Sequence, residues 1–222
     1  MVSCLPLKYI VLISLLTALQ IHSCVGIALI RLFDEYSKDG RVILPLLVTV
    51  DKLMSHGCFD NLLAKADNDF AKELGLRVRR EASNCVDMKR LMAIVPVALN
   101  ILHCVDLDTN STTMLFLMRF LAHRYPRIRR HTAEQLYIKL IEDSTAVHAP
   151  IGLDEATELL SQTNWNNDLG PPGNVRELRN KVAELLGVAL TEKDRQGPAV
   201  KQVVKATDEF ASYASLVSTA GF

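Results

Sequence analysis

The sequence predicts an all-α fold, an α-solenoid of stacked antiparallel helix pairs. Three observations carry this. Apolar residues recur at helical spacing through most of the chain, and no window sustains the alternation of a strand. Residues 112–143 read as two amphipathic helices joined by a short turn at Tyr125-Pro126. The composition, 49% hydrophobic and 23% charged, suits helices that meet apolar neighbours on several sides. A single helix pair cannot bury its apolar stripe alone and must stack on others.

The elements follow in order. Lys8 precedes an apolar run from Tyr9 to Leu19, with small residues at Ser23 and Gly26. Two readings stand here, a secretory leader or a first helix of the array over about Leu7 to Phe33. Gln20 and His22 interrupt the run, which argues against a membrane-spanning helix. A second helix is expected from about Val42 to Ser55, on the stripe Ile43, Leu46, Leu47, Val50, Leu53 and Met54. Pro45 falls in its first turn, where a missing N–H is harmless, and Gly57 ends it.

Residues 60–86 mix short helical pieces, such as Leu62 to Leu74, with the charged run Arg77-Val78-Arg79-Arg80-Glu81. Asp87 caps the next helix, which carries Met88, Leu91, Met92, Val95, Leu99 and Leu102, and Pro96 is expected to kink or split it. Met114, Leu117, Met118 and Leu121 mark the helix before the Tyr125-Pro126 turn. Ile128, Thr132, Leu136 and Leu140 mark the one after it, with Ala133 and Tyr137 widening the stripe. This second helix, with its early proline and small Ala133, has the pattern of the second helix of a HEAT repeat.

Ala149-Pro150-Ile151-Gly152 breaks the chain, and Asp154 to Gln162 is read as a helix whose two first acids complement its N-terminus. Asn166 to Gly173 is a loop. Asn174-Val175-Arg176-Glu177 fits a capping box for a helix carrying Val175, Leu178, Val182 and Leu185, which Gly187 stops. Residues 1–190 are thus assigned to the array. Residues 191–222 are a tail with Val200, Val203, Val204, Thr207 and Phe210 at helical spacing, read as a closing amphipathic helix in preference to a mobile end.

Lys+Arg and Asp+Glu balance at 25 each, so global charge points to neither nucleic acid nor a membrane surface. Five widely spaced cysteines without a CxxC pair argue against a disulfide framework or a zinc site. They read as small buried apolar residues in a reducing compartment. No phosphate-cradling loop, HExxH or GxSxG occurs, and the six histidines are scattered. His56 and His103 fall at helix ends. Neither an enzyme nor a cofactor is therefore expected.

One charge feature stands out. Residues 119–131 hold Arg119, Arg124, Arg127, Arg129 and Arg130, with His123 and His131 and no acid. Arg124, Arg127 and Arg130 are candidates for a basic ridge that binds an acidic protein surface, against the simpler reading of a solvated turn. Arg129 is expected to make a structural bond to a neighbouring repeat. Nucleic acid is disfavoured, because the cluster lacks an interleaved series of aromatics for base stacking. Trp165, at a helix end, reads as an anchor packing one helix pair on the next or as an interface hot spot, the former preferred.

Four stretches resemble the tubulin-folding cofactor D family in its C-terminal part. The first is Arg41-Val42 through Pro45-Leu46-Leu47 to His56-Gly57-Cys58-Phe59. The second is Phe120 to Arg129 with Thr132-Ala133 and Gln135-Leu136-Tyr137. The third is Leu159 to Thr163 with Trp165, and the fourth is Val175-Arg176, Arg179-Asn180 and Leu185 to Val188. The second and third carry the resemblance most strongly. The Gly170-Pro171-Pro172-Gly173 loop and the tail after Leu190 fall outside the pattern.

The resemblance implies a cytosolic HEAT/armadillo solenoid, of which this chain would be the C-terminal part, with its first apolar run a solenoid helix. It implies a chaperone that captures β-tubulin. With tubulin-folding cofactors C and E and an ADP-ribosylation-factor-like small GTPase, such a chaperone assembles or takes apart the αβ-tubulin heterodimer, away from membrane and nucleic acid. No catalytic residue carries over. Two other classes compete: a HEAT-type adaptor for a different partner, and a secreted or anchored helical protein with a cleaved leader.

Overall fold

The computed structural model describes residues 7–65, 69–143, 152–170 and 173–196, with side chains from residue 21. The chain divides into two units, Met1–Leu190 and Thr191–Phe222. The described residues form α-helices and no strand: α1 (Leu7–Glu35), α2 (Gly40–Ser55), α3 (Asp60–Leu63), α4 (Phe70–Ala82), α5 (Met88–Ile101), α6 (Leu107–Leu121), α7 (Pro126–Glu142), α8 (Leu153–Gln162) and α9 (Val175–Leu185) in the first unit, and α10 (Glu192–Gln196) in the second. The closing helix expected beyond Val200 lies outside the described residues.

The first unit has two layers. α2 packs on α5, α5 on α7 and α7 on α8. In the other layer α1 packs on α4, α4 on α6 and α6 on α9. The pairs α1–α2, α4–α5, α6–α7 and α8–α9 join the layers. This is the stacking of a helical solenoid, as the periodicity predicts. The last pair enters in reversed order, since α8 continues the layer that α7 already occupies.

α5 lies at the centre, in contact with α2, α4, α6 and α7. Its Leu91, Ile94, Val95, Val97, Ala98, Leu99 and Ile101 are all buried, around most of its circumference. Each such aliphatic side chain contributes roughly 1.5–3 kcal/mol on burial. Pro96 therefore does not split the helix, which runs unbroken from Met88 to Ile101. Burial on four sides outweighs the roughly 3 kcal/mol that an interior proline costs.

Several local expectations are corrected. α2 begins two residues before the expected Val42, with Asp39 as its cap, which puts Pro45 in the second turn. The expected piece from Leu62 to Leu74 is broken: α3 stops at Leu63 and α4 starts at Phe70. The charged run is helical, and it holds α1. Arg77 Nη2 and Arg80 Nη1 each sit 2.8 Å from an Asp34 carboxylate oxygen, and Arg80 Nη2 donates to Phe33 O at 2.7 Å. Glu81, its side chain fully enclosed, accepts from Ser37 Oγ at 2.9 Å and from Lys38 N at 3.0 Å. Lys38, at φ 66°, is thereby held in the left-handed region.

Helix ends follow the sequence more closely. Gly57 (φ 72°) and Gly187 (φ 68°) adopt the left-handed conformation that glycine allows at low cost. Gly57 N donates to Met54 O and Cys58 N to Leu53 O, the paired bonds of a Schellman cap. Gly187 and Val188 repeat this on Glu184 and Ala183. Asp87 caps α5 by accepting from Lys89 N at 2.9 Å. Asn174 forms no capping box. It sits at φ 48° and its side chain accepts no cap bond. Backbone carbonyls of Asp168 and Leu169 instead receive the N–H groups of Val175 and Arg176, which makes the side-chain cap redundant. Cys85 and Cys104 are buried as expected, whereas Cys24 is exposed and Cys58 half-buried.

Candidate protein-binding groove

The turn between α6 and α7 is built around Pro126. Proline at the first helical position fixes φ, and Tyr125 before it is extended (φ −89°, ψ 118°) as the proline ring demands. Tyr125 N donates to His123 Nδ1 at 3.2 Å, so that nitrogen carries no proton. Burial, then the charges of Arg124 and Arg129, hold the His123 imidazole below its ordinary pKa. Its ring lies 5.7 Å from Phe120 and 5.2 Å from Tyr125, centroid to centroid.

Arg129 points inward and is 2% exposed. Nε donates to Trp165 O at 2.8 Å, and Nη1 donates to His123 O at 2.9 Å and Arg124 O at 3.4 Å. Nη2 donates to Asn167 O. One guanidinium thus ties the α6–α7 turn to the α8–α9 connection, and its planar fork of donors suits several carbonyls at once. This is the inter-repeat bond expected from sequence. Burial lowers the Arg129 pKa, with Asp168 opposing, but an arginine stays charged at neutral pH.

Trp165 is 4% exposed, and its indole N–H donates to Leu160 O at 2.9 Å. That is the geometry of a packing anchor between α7 and α8. It offers a partner little of its ring.

The other ridge residues point outward. Arg124 is exposed, with Cζ 4.6 Å above the centre of the Tyr125 ring, a cation–π contact. Arg127 is exposed and has no ion pair or hydrogen bond among the described residues. Arg130 is exposed and pairs with Glu134 at 2.7 Å. Arg119 is exposed at the end of α6 and His131 half-buried on α7.

Beside the ridge lies a groove of about 360 Å³ between α7 and the end of α8, lined by Arg130, Glu134, Tyr137, Ser161, Thr163 and Trp165 among others. Residues 127, 130, 134 and 137 share one stripe of α7, so the groove continues the line of basic side chains. The structure thus brings Arg127, Arg130 and the Trp165 edge to one place, with Arg124 at the turn above.

A second cluster escaped the sequence reading. A cavity of about 550 Å³ is lined by Asn100, His103, Lys139, Asp60 and Glu142 among others. His103 Nδ1 lies 3.2 Å from Asp143 Oδ2, and its Nε2 contacts Lys139 Nζ. Burial lowers the pKa of both His103 and Lys139. In an adjoining cavity Asn100 Nδ2 donates to Asp51 Oδ1 at 2.9 Å, and burial raises the Asp51 pKa. These residues come from α2, α3, α5, α7 and the segments after α5 and α7, and no sequence spacing links them. Their charges are mixed.

Helix pairs stacked in two layers define a helical solenoid as the class of this protein. Within that class, residues 14–90 match the family model of the tubulin folding cofactor D C terminal. Over those residues the chain is similar to the C-terminal region of cofactor D, in keeping with the resemblance read from sequence. The matched span runs from α1 into the first turn of α5 and includes the first of the four stretches read from sequence. The other three stretches, and with them the ridge and groove, lie outside it. No solved structure matches the chain. No helix among the described residues is long and apolar enough to cross a membrane.

Proposed function

We propose that this chain is a non-enzymatic scaffold of the tubulin-folding machinery, which binds β-tubulin and takes part in assembling and dismantling the αβ-tubulin heterodimer. The observation that carries this is the family match over residues 14–90, which supports a cofactor D role in general terms. The stacked architecture is in keeping with it, since a solenoid offers extended surface rather than an enclosed reaction site. On this reading the partners are β-tubulin, tubulin-folding cofactors C and E and an ADP-ribosylation-factor-like small GTPase. The place of action is the cytoplasm and its cytoskeleton. Enzymatic chemistry forms no part of the proposal.

The test is capture of partners by the tagged chain from cytosol, identified by mass spectrometry. Enrichment of β-tubulin or the small GTPase supports the proposal. Enrichment of a different protein instead favours the HEAT-type adaptor, and recovery of none of these partners overturns the tubulin reading for this chain.

A further inference from the structure

Arg124 and Arg127 are exposed cations with no carboxylate partner among the described residues. An exposed cation gains little from isolation, and two on one ridge repel each other unless an anion lies between or beside them. Arg130 is balanced by Glu134, which leaves the excess positive charge of the ridge on Arg124 and Arg127. Asp168, in the loop before α9, acts electrostatically on the buried Arg129. The ridge is therefore complementary to negative charge supplied from outside.

The groove adds shape. Its lining is mixed: Tyr137 and Trp165 stand beside Ser161, Thr163, Asn164 and Asn166. At about 360 Å³ it falls in the range of roughly 300–1,000 Å³ typical of small binding pockets. Its walls are fixed. Arg129 ties both sides together through four carbonyls, and the Trp165 indole N–H is bonded within the same turn. A pre-formed pocket costs little ordering on binding.

We propose that this ridge and groove seat an extended acidic peptide segment of a partner protein, with one bulky side chain in the groove and carboxylates on Arg124 and Arg127. The inference takes from the proposed function only that the partner is a protein. Nucleic acid fits the charge less well as a whole, because Tyr125, the aromatic at the ridge, is covered by the Arg124 guanidinium and is not offered for base stacking.

The test uses the full chain and fluorescence anisotropy. The probe is a short labelled Glu-rich peptide with one central Phe, compared with its Phe→Ala form, a Lys-rich peptide and a single-stranded RNA. The Glu/Phe peptide should bind, more weakly as salt rises. Arg124→Glu/Arg127→Glu should raise its Kd by about tenfold or more, because both changes place like charges against the probe. S161W, which fills the groove and leaves the ridge intact, should weaken the Phe peptide to the level of the Phe→Ala form. Circular dichroism melting confirms that each variant is folded.

Failure of the parent chain to bind the acidic peptide, unchanged binding by Arg124→Glu/Arg127→Glu, or tighter binding of RNA would each overturn the proposal. Equal binding of the Phe and Phe→Ala peptides would remove the groove from it. Capture of β-tubulin by the same variants separates the two readings. Peptide binding without tubulin capture upholds the groove and fails the tubulin proposal. Tubulin capture without peptide binding does the reverse.

Discussion

Arg129 shows how one side chain decides a local structure. Its guanidinium is enclosed and donates to carbonyls from two separate loops. Lysine keeps the charge but lacks the planar fork, so Arg129→Lys leaves buried carbonyls unsatisfied. We expect a loss of about 2–4 kcal/mol in urea unfolding for this change. Arg127→Lys, on the exposed side of the same helix, should shift stability by no more than about 0.5 kcal/mol. His123 provides a pH test. Its folded pKa lies below the ordinary value of 6.5, so the unfolded chain takes up the proton more readily. The stability from neutral His123 is full above pH 6.5, and it is lost as pH falls through that value toward the lowered folded pKa. Protonation would also break the bond that Nδ1 accepts from Tyr125 N. The melting temperature should fall on acidification from about pH 7 to about pH 5.5, and less steeply in His123→Gln. His103 shifts in the same direction, so some slope should remain in that variant.

At the scale of the element, ends were easier to read than interiors. Gly57, Gly187 and Asp87 act within a few residues of themselves, and each terminates or caps its helix as local chemistry requires. Of the two effects expected of Pro96, splitting does not occur, because that outcome depends on what packs around the ring. α5 is enclosed by four other helices, and its continuity is imposed from outside. Pro96→Ala should restore a backbone donor without opening a cavity around a half-buried ring. We expect a gain of about 1–2 kcal/mol, below the intrinsic difference of roughly 3 kcal/mol, since loss of proline also loosens the unfolded chain. A loss of stability in chemical denaturation would show that the proline ring itself is needed for packing. The unformed box at Asn174 has a similar cause, because the carbonyls that replace it come from the preceding loop.

At the scale of the whole unit, each layer is a row of helices, and the α1–α2 end packs inward only. α1 meets α2, α3 and α4. Its Ile21, Val25 and Leu32 remain 60%, 39% and 37% exposed, and with the exposed Ala28 they line one stripe. Apolar stripes of this kind drive association between helices. The isolated chain should therefore self-associate, with a light-scattering mass that rises with concentration. Ile21→Glu/Val25→Glu should return it to a monomer. A monomeric parent chain at high concentration would count against this role for α1.

The sequence by itself determined the helical class, the buried stripes of α2, α5, α6 and α7, the helix ends at Gly57 and Gly187 and the inter-repeat bond of Arg129. These follow from periodicity and from short-range backbone chemistry, which neighbours in the chain carry between them. The resemblance to cofactor D was also legible there, although the matched family span falls on residues 14–90 rather than on the stretches that read most strongly. Only the tertiary structure decided which helices share a layer, that α8 and α9 enter in reversed order, and that Glu81 closes the turn after α1. It alone placed the groove next to Arg127 and Arg130, and gathered Asp51, Asn100, His103 and Lys139 from separate elements. Such meetings depend on contacts between residues far apart in sequence, and no spacing along the chain encodes them.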